Sequence, residues 1–578
     1  MDARGSRLAE EGAHTLLRLA RHTLEAALRG LPPPPAPDDD AAVRFEQVNI
    51  TVRLRGRVRA STSGLGDTLA AAVVQAARAA AADARFGAPL TTEGLAASQL
   101  ELWIQCAQEP IVDITRLDLG RDGVALRLGA HAAYYKPSVP LTSRLLGPER
   151  VLRRLALKAG LAEDAWRDPA SDIRRTAWDH FTEREPGGVV QQRSRLRAVL
   201  GSSGRVCREN VMRCLQAAED RLLRVQQADG LFLYRHHPFR ALTQPAAVHL
   251  VRQAGCAFAL ARAAAVATDA VRADRLRQGV VRSAQALLAG ARTLDGGLLH
   301  LPEADDTAPV FGKLGSIALL LAALQHIGPY QPLAVARGGL LQSVLAMQRE
   351  DGSFRCRSDS AAAADDGVLQ DFYPGEALVA LCLALPDQPE AAGRAVTRAF
   401  PWYQARFRAR PTTAPVLWHA DAWRLFAAWC AATGAHDPEP YAAFVFELAD
   451  WVLALQPDDD ESADRDWSGG FRVAQAPADF GTSLFTEAVI RAYGLALAMG
   501  LADRAARYRQ AARRGLQFTM RLQITPETAS LFPDPPLSVG GTTHSLSDLT
   551  IRCDYDQHAI TAYLAALDHP DLLDPVVG

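Results

Sequence analysis

The chain has 578 residues, 48% of them hydrophobic and 22% charged, which is material for roughly two to four globular domains. Its net charge of −2 leaves no electrostatic case for binding nucleic acid or an anionic membrane. No run of about 20 apolar residues is available to span a bilayer, and Met1 to Glu11 are too polar for a signal peptide, so a cytoplasmic location is expected.

Leu16, Leu17, Ala20, Leu24 and Leu28 recur at helical spacing and predict a helix from about Ser6 to Arg29. The segment Pro32 to Pro37 with Asp38 to Asp40 reads as a loop, because a proline run cannot continue a helix. Alternating apolar and polar residues predict a strand over Val48 to Arg59. An alanine-rich helix is expected over Leu69 to Ala84, and strands over Leu100 to Gln105 and Gly123 to Leu128. Pro148 to Ala159 and Asp172 to Thr182 read as helices, the first with proline in its opening turn. The mixture lacks a regular strand–helix–strand rhythm, so the class expected is α+β. The eight cysteines are scattered with no C-x-x-C pair, and read as free thiols in a reducing compartment.

The order of motifs in this region resembles the AMMECR-type domain. The helix carrying Leu16-Leu17-Arg18-Leu19-Ala20-Arg21 comes first, followed by Leu54-Arg55-Gly56. Then come Asp83-Ala84-Arg85-Phe86, Lys158-Ala159-Gly160-Leu161 and Trp166. The resemblance implies a cysteine directly after Arg-Gly, and this chain has Arg57 there, with Ser61 and Ser63 further on. The motif is therefore degenerate, and a thiol nucleophile is missing from it. A scaffolding or substrate-recognition role stays open beside an anion site made by Arg55, Arg57 and Arg59.

Pro186-Gly187-Gly188 and Gly201-Ser202-Ser203-Gly204 mark a domain boundary. The expected division is 1–185 for the α+β domain, 186–205 for a linker, and 206–578 for a repeat region. In that region amphipathic helices begin near Arg208, Val271, Leu333, Pro389, Glu439 and Ala502. Several end in similar phrases, such as Gln226-Gln227-Ala228-Asp229-Gly230 and Gln348-Arg349-Glu350-Asp351-Gly352. More apolar helices follow, over Gln244 to Ala264, Lys313 to His326, Gly375 to Leu385, His419 to Ala432, Ser483 to Met499 and Gln557 to Leu567. A helix apolar on every face is buried on every face. Six outer and six inner helices, with no strand long enough for a sheet, predict an all-α (α/α)6 toroid. This region resembles the six-hairpin superfamily, which includes glycosidases, polysaccharide lyases, sugar epimerases and terpene cyclase-like proteins. The Tyr373-Pro374-Gly375-Glu376-Ala377-Leu378 and Arg552-Cys553-Asp554-Tyr555-Asp556-Gln557-His558 blocks resemble those of bacterial toroids.

Parallel inner helices bring their N-termini to one barrel end, where dipoles and free N–H groups favour anionic or polyhydroxylated ligands. The expected site there contains Glu376, Glu487, Tyr373, His558, Asp554, Asp556, His419 and Asp421 as catalytic candidates. Arg252, Lys313, Arg552, Trp418, Trp423 and Tyr555 are expected to bind substrate, with Trp467 a further aromatic on an acidic insert. Asp371, Asp421, Asp554 and Asp556 also fit simple helix caps. Glu376 and Glu487 do not, because each sits inside a helix among apolar neighbours, where burial keeps a carboxyl protonated. His419, His544, Cys553, Asp554 and His558 match no zinc spacing, so no metal is expected. Neither a phosphate-binding glycine loop nor a dinucleotide fingerprint is present, so no cofactor is expected. Three functions stay open: acid–base chemistry on a carbohydrate-like or other polar, anionic substrate, by a hydrolase, lyase or epimerase; tailoring or recognition of a peptide or natural product; and prenyl or terpene handling. The partners expected are a small molecule, saccharide or peptide.

Overall fold

The structure, a computed structural model, describes residues 8–35, 43–199, 204–244, 249–294, 298–305, 308–328, 331–358, 366–457, 465–474 and 476–573. The acidic run at 458–461, the loop at 36–42, the Gly-Ser run at 201–203 and the turn at 295–297 lie outside the described residues.

The N-terminal domain is an antiparallel sheet of β1 (Gln47–Leu54), β2 (Arg57–Gly64), β3 (Ser98–Pro110), β4 (Asp122–Leu128), β5 (His131–Tyr135), β6 (Asp172–Glu183), β7 (Val190–Ser194) and β8 (Arg197–Ala198). Its order is β2-β1-β3-β6-β4-β5, with β7 on the far end of β6 and β8 on β7. Among helices longer than ten residues, α1 (Glu10–Leu28) and α2 (Leu69–Ala81) cover one face, meeting Val48, Ile50, Val52, Leu100, Leu102 and Phe181. Helix α3 (Pro148–Lys158) covers Val124 and Leu126.

Two expectations change here. The single strand expected over Val48 to Arg59 is a hairpin, turned by Arg55 (φ 49°) and Gly56 (φ 72°), the two positive angles that a tight hairpin turn requires. A side chain on Gly56 would also strike the backbone of Phe532, 2.2 Å away. The helix expected over Asp172 to Thr182 is the central strand β6, held between β3 and β4. Pairing on both edges there outweighs local helix preference.

The remainder is a toroid of alternating outer and inner helices. The outer helices are α4 (Arg208–Arg224), α6 (Ala270–Ala289), α8 (Gln331–Ala346), α10 (Pro389–Ala409), α12 (Glu439–Leu453) and α14 (Ala502–Leu522). The inner helices are α5 (Leu250–Val266), α7 (Leu314–His326), α9 (Tyr373–Ala384), α11 (Val416–Thr433), α13 (Gly481–Ala498) and α15 (Cys553–Leu567). Each inner helix packs on the next, and α15 returns to α5, closing the ring. Helix α7 is buried without a break from Leu314 to Leu324, as a helix surrounded by other helices must be. The first inner helix starts six residues later than expected, because Arg240–Gln244 is a strand. That strand joins Arg235–His237 and Ile551–Arg552 in a small sheet, and two further two-stranded ribbons lie in this region, contrary to the expectation of none.

The repeated glutamine is the staple between hairpins. Gln348 at the end of α8 donates to Gly352 O (3.1 Å) in its own turn and to Ala395 O (2.8 Å) of α10. Gln226 spans α4 to α6, Gln456 spans α12 to α14, and Gln523 spans α14 back to α4, in the same way. The glycine that follows has a positive φ each time: Gly230 91°, Gly352 91°, Gly469 84°, Gly540 84°.

The segment expected as a linker is built into the sheet instead, as β7 and β8. Their turn puts buried arginines into the toroid: Arg193 donates to Glu527 O (2.8 Å) and Arg197 to Thr543 Oγ1 (2.5 Å). A core of Trp103, Leu141 and Leu196 with Leu531, Phe532, Leu549 and Ile551 joins the two regions.

A Cβ on Gly352 would lie 2.1 Å from the carbonyl oxygen of Arg398, whereas one on Gly338, within α8, would meet nothing within 4 Å. Gly352→Ala is expected to lower stability by at least about 1–3 kcal/mol. Gly338→Ala should raise it by up to about 1 kcal/mol. Urea midpoints of the two variants test this opposite sign.

Candidate active site

Glu376 lies in the first turn of α9, where the helix dipole alone favours an ionised carboxylate. Burial wins over the dipole and pushes its carboxyl up to about 8. Its Oε2 is buried without a hydrogen-bond partner, and a Cβ on Gly315 of the next helix would come within 2.2 Å of it. Gly315 therefore lets α7 and α9 close around a neutral carboxyl. Tyr373 abuts the same glycine, and burial raises its hydroxyl well above its usual range.

Across the mouth, Asp554 at the start of α15 binds Arg552 (2.9 Å) and Arg252 (3.2 Å). Burial opposes its ionisation, but these two guanidiniums hold its carboxyl below the usual range. Arg552 lies 4.5 Å from the Tyr555 ring centre and 5.7 Å from that of Tyr234, and Arg252 lies 5.4 Å from Tyr234. Such cation–π contacts hold positive charge in a partly dry site. His558 is pushed down to about 4 by burial, and its Nδ1 has no hydrogen-bond partner. Lys313 pairs with Glu303, whose other oxygen accepts from Leu250 N (2.7 Å) at the start of α5. Trp418 forms the floor, its ring 6.2 Å from His558.

The expected residues thus divide into three groups. Glu376, Tyr373, His558, Asp554, Arg252, Lys313, Arg552, Trp418 and Tyr555 belong to the mouth. His419, Asp556 and Trp423 turn outward, between the inner and outer helices. His419 accepts from Trp423 Nε1 (3.1 Å) beside Tyr403 of α10, and Asp556 pairs with Arg221 of α4 and accepts from Thr542 N (2.7 Å). Glu487 and Asp421 lie deeper. Arg262 is 2.8 Å from Glu487, Arg424 is 2.7 Å from Asp421, and Arg491 is 3.2 Å from both. Asp421 borders a cavity of about 180 Å³ with His326 and Asp568, at the C-terminal ends of α7 and α15. That cavity belongs to the opposite end of the barrel, and Trp418 and Phe258, 6.0 Å apart, lie between the two. Trp467 is under Arg195 at the interface with the N-terminal domain, not at the mouth. Sequence reasoning missed Tyr234, His249 and Glu303, because they lie on connections rather than on the inner helices. Among the described residues, no group of three or more His, Cys, Asp or Glu is placed to hold a metal.

The sheet face of the N-terminal domain opposite α1 and α2 is polar and buried. Arg53 and His180 bind Glu101 there, His180 at 2.9 Å, and Lys136 binds Asn49 at 2.8 Å. Arg55 and Arg57 are exposed and Arg59 donates to Phe86 O (2.9 Å), so the three do not converge on one anion site.

The AMMECR1 family model matches residues 17–180. A protein of Thermofilum pendens is 31% identical over 206 residues, 32% of this chain and 95% of that protein. The chain belongs to the AMMECR1 family. Its AMMECR1 domain has archaeal relatives such as this one, so a bacterial source gains no support. Two solved structures are similar to this chain. A D-mannose isomerase is 12% identical, covering 64% of this chain and 99% of that one, with a TM-score of 0.46. A family 76 glycoside hydrolase from a bovine Bacteroides thetaiotaomicron strain is 9% identical, covering 81% and 96%, with a TM-score of 0.42. Among the described residues no helix is long and apolar enough to cross a membrane.

Glu376 titrates near 8 in the folded chain and near 4.5 when unfolded. Between those values the folded form keeps a proton that the unfolded form releases, so stability falls as pH rises through that window. Glu376→Gln removes the effect. Denaturation midpoints of the variant should therefore drop less than those of the unaltered protein between about pH 5 and about pH 9. Parallel curves would place the ionised carboxylate in the fold.

Proposed function

We propose that the toroid is an enzyme of the hydrolase, lyase or epimerase type. In this reading it works by acid–base chemistry on a carbohydrate-like substrate at the mouth of the inner helices. The observation that carries it is the buried, unpartnered carboxyl of Glu376. A carboxyl that is neutral at pH 7 and has a free oxygen can give a proton to a leaving or carbonyl oxygen. His558, neutral and with an unpartnered Nδ1, is the acceptor of the second proton. The Tyr373 hydroxyl, kept protonated beside Glu376, is the donor offered to the substrate, while Arg252, Arg552 and Lys313 attract its carboxylate or hydroxyl groups. Trp418, Tyr234 and Tyr555 offer rings for a sugar face. Charge around the mouth disfavours a prenyl chain, which needs an apolar wall.

The pH profile follows from the two groups. Activity should rise as pH passes about 4, when His558 loses its proton, and fall as pH passes about 8, when Glu376 loses its own. Aldoses and uronates incubated in heavy water would be read by NMR for exchange beside the carbonyl, and nitrophenyl glycosides for hydrolysis. Glu376→Gln should cost about 10²–10⁴-fold in kcat with the fold intact. A variant as fast as the unaltered protein would sink this reading.

A further inference from the structure

The polar face of the AMMECR1 domain contains a second constellation, unrelated to the toroid mouth. Lys136 Nζ lies 2.8 Å from Asn49 Oδ1 and 3.3 Å from Ser61 Oγ, and also bonds Thr51 Oγ1. Thr51 Oγ1 is 3.0 Å from Ser61 Oγ. Among the described residues no carboxylate bonds the amine. Glu101, the carboxylate whose charge acts on it, is shared by Arg53, His180 and the Trp103 indole. Lys136 is buried, whereas Ser61 in front of it is half-buried.

Ser61 is also held by its backbone. Asp83 accepts from its N–H (3.0 Å), and Arg85 donates to its carbonyl (2.6 Å). The family's Asp-x-Arg-Phe block thus clamps one residue of β2. A groove of about 520 Å³ runs over the same sheet next to this cluster, lined by Tyr134 but by neither Ser61 nor Lys136. Tyr134 on its wall bonds Ser63 Oγ (2.5 Å), and Ser63 meets Asn49 (3.4 Å), the acceptor for Lys136.

We propose that Ser61 and Lys136 form a serine–lysine pair that transfers acyl groups from small esters or thioesters, reaching the half-buried Ser61 hydroxyl from solvent, to water. Lys136 takes the Ser61 hydroxyl proton as Oγ bonds to the acyl carbon. The bond to the alkoxide or thiolate breaks, and the leaving group takes that proton from Lys136. Water then attacks the acyl carbon, giving a proton to Lys136, and Ser61 Oγ leaves and recovers it. Asn49 and Thr51 are positioning residues for the amine.

Burial pushes the Lys136 ammonium down to about 7, so a large fraction is neutral at that pH. The charged groups around it are Glu101 on β3, Arg53 on β1, His180 on β6 and Lys158 at the end of α3. Glu101 opposes the shift, and Arg53 and Lys158 add to it.

The probes are phenylmethylsulfonyl fluoride, located by peptide mass, and p-nitrophenyl acetate, followed by nitrophenol release, both on the full chain. One label on Ser61 is expected, with hydrolysis rising with pH through about 7. Lys136→Met should slow hydrolysis by about a hundred-fold or more and remove that pH limb. Should this variant fail to fold, Ser61→Cys serves instead, because it keeps a nucleophile of similar size. Acylation at position 61 by p-nitrophenyl acetate then supports the pair, and an unmodified thiol overturns it. Labelling at another residue, or unchanged hydrolysis by Ser61→Ala, overturns it as well.

Discussion

A glutamine amide at the end of an outer helix decides where the next helix pair sits. Its two N–H groups reach carbonyls on two separate segments, one in its own turn and one on the following outer helix. Apolar burial by the inner helices supplies most of the driving force, but it is non-directional and tolerates sliding. The amide is directional. A carbonyl deprived of its donor in that buried place costs about 1–3 kcal/mol, a sizeable part of a net stability of about 5–15 kcal/mol. Four amides join α4 to α6, α8 to α10, α12 to α14, and α14 to α4. The other two junctions use other chemistry: Leu299 N donates to Ser343 Oγ (2.7 Å), and Arg408 pairs with Glu447 (2.7 Å). The barrel is thus stapled around its circumference.

This closure creates the mouth. With the outer ring fixed, the inner helices start together, and short side chains let them approach. Gly255 leaves room for Gln557, Gly315 for Glu376, and Gly375 for Trp418. Close approach excludes water from the first turns, and exclusion of water raises Glu376 and lowers His558. The same physics produces an ionised Asp554, because two arginines face it. Burial shifts each group toward its neutral form, and local partners decide whether that shift survives.

Much of the toroid was legible because it repeats. Glutamine with a later glycine marks the turn at four of the six junctions, and five of six inner helices begin within four residues of the expected positions. The side chains were harder to place, because neighbouring residues on a helix point about 100° apart. Trp418 faces the axis, and His419 beside it faces α10. Asp554 and Asp556 are two residues apart, hence on nearly opposite sides, and pair with Arg252 inside and Arg221 outside. Depth also mattered: Glu487 starts about 5 Å further along its helix than Glu376, within reach of Arg262. In the N-terminal domain, β6 was misread because its residues show no alternation of apolar and polar side chains. The Arg55-Gly56 turn was overlooked inside an otherwise strand-like pattern.

The two domains depend on each other at the polar sheet face. Polar side chains on a sheet normally keep their water, and Lys136 and His180 would then titrate near their ordinary values. Here the toroid takes that water away at one end. Phe239 lies 5.4 Å over Arg53, the backbone of Phe532 presses on Gly56, and Trp103 shares a core with Leu531 and Ile551. Arg193 and Arg197 seal the edge. Burial pushes them down to about 10 and about 9, still charged at neutral pH, and their terminal nitrogens donate to carbonyl and hydroxyl oxygens, while Arg197 Nε is left without a partner. Lys136 sits 5.1 Å over the Trp103 ring, and Trp103 shares a core with Leu531 and Ile551, so the toroid backs the wall against which the Lys136 amine is buried.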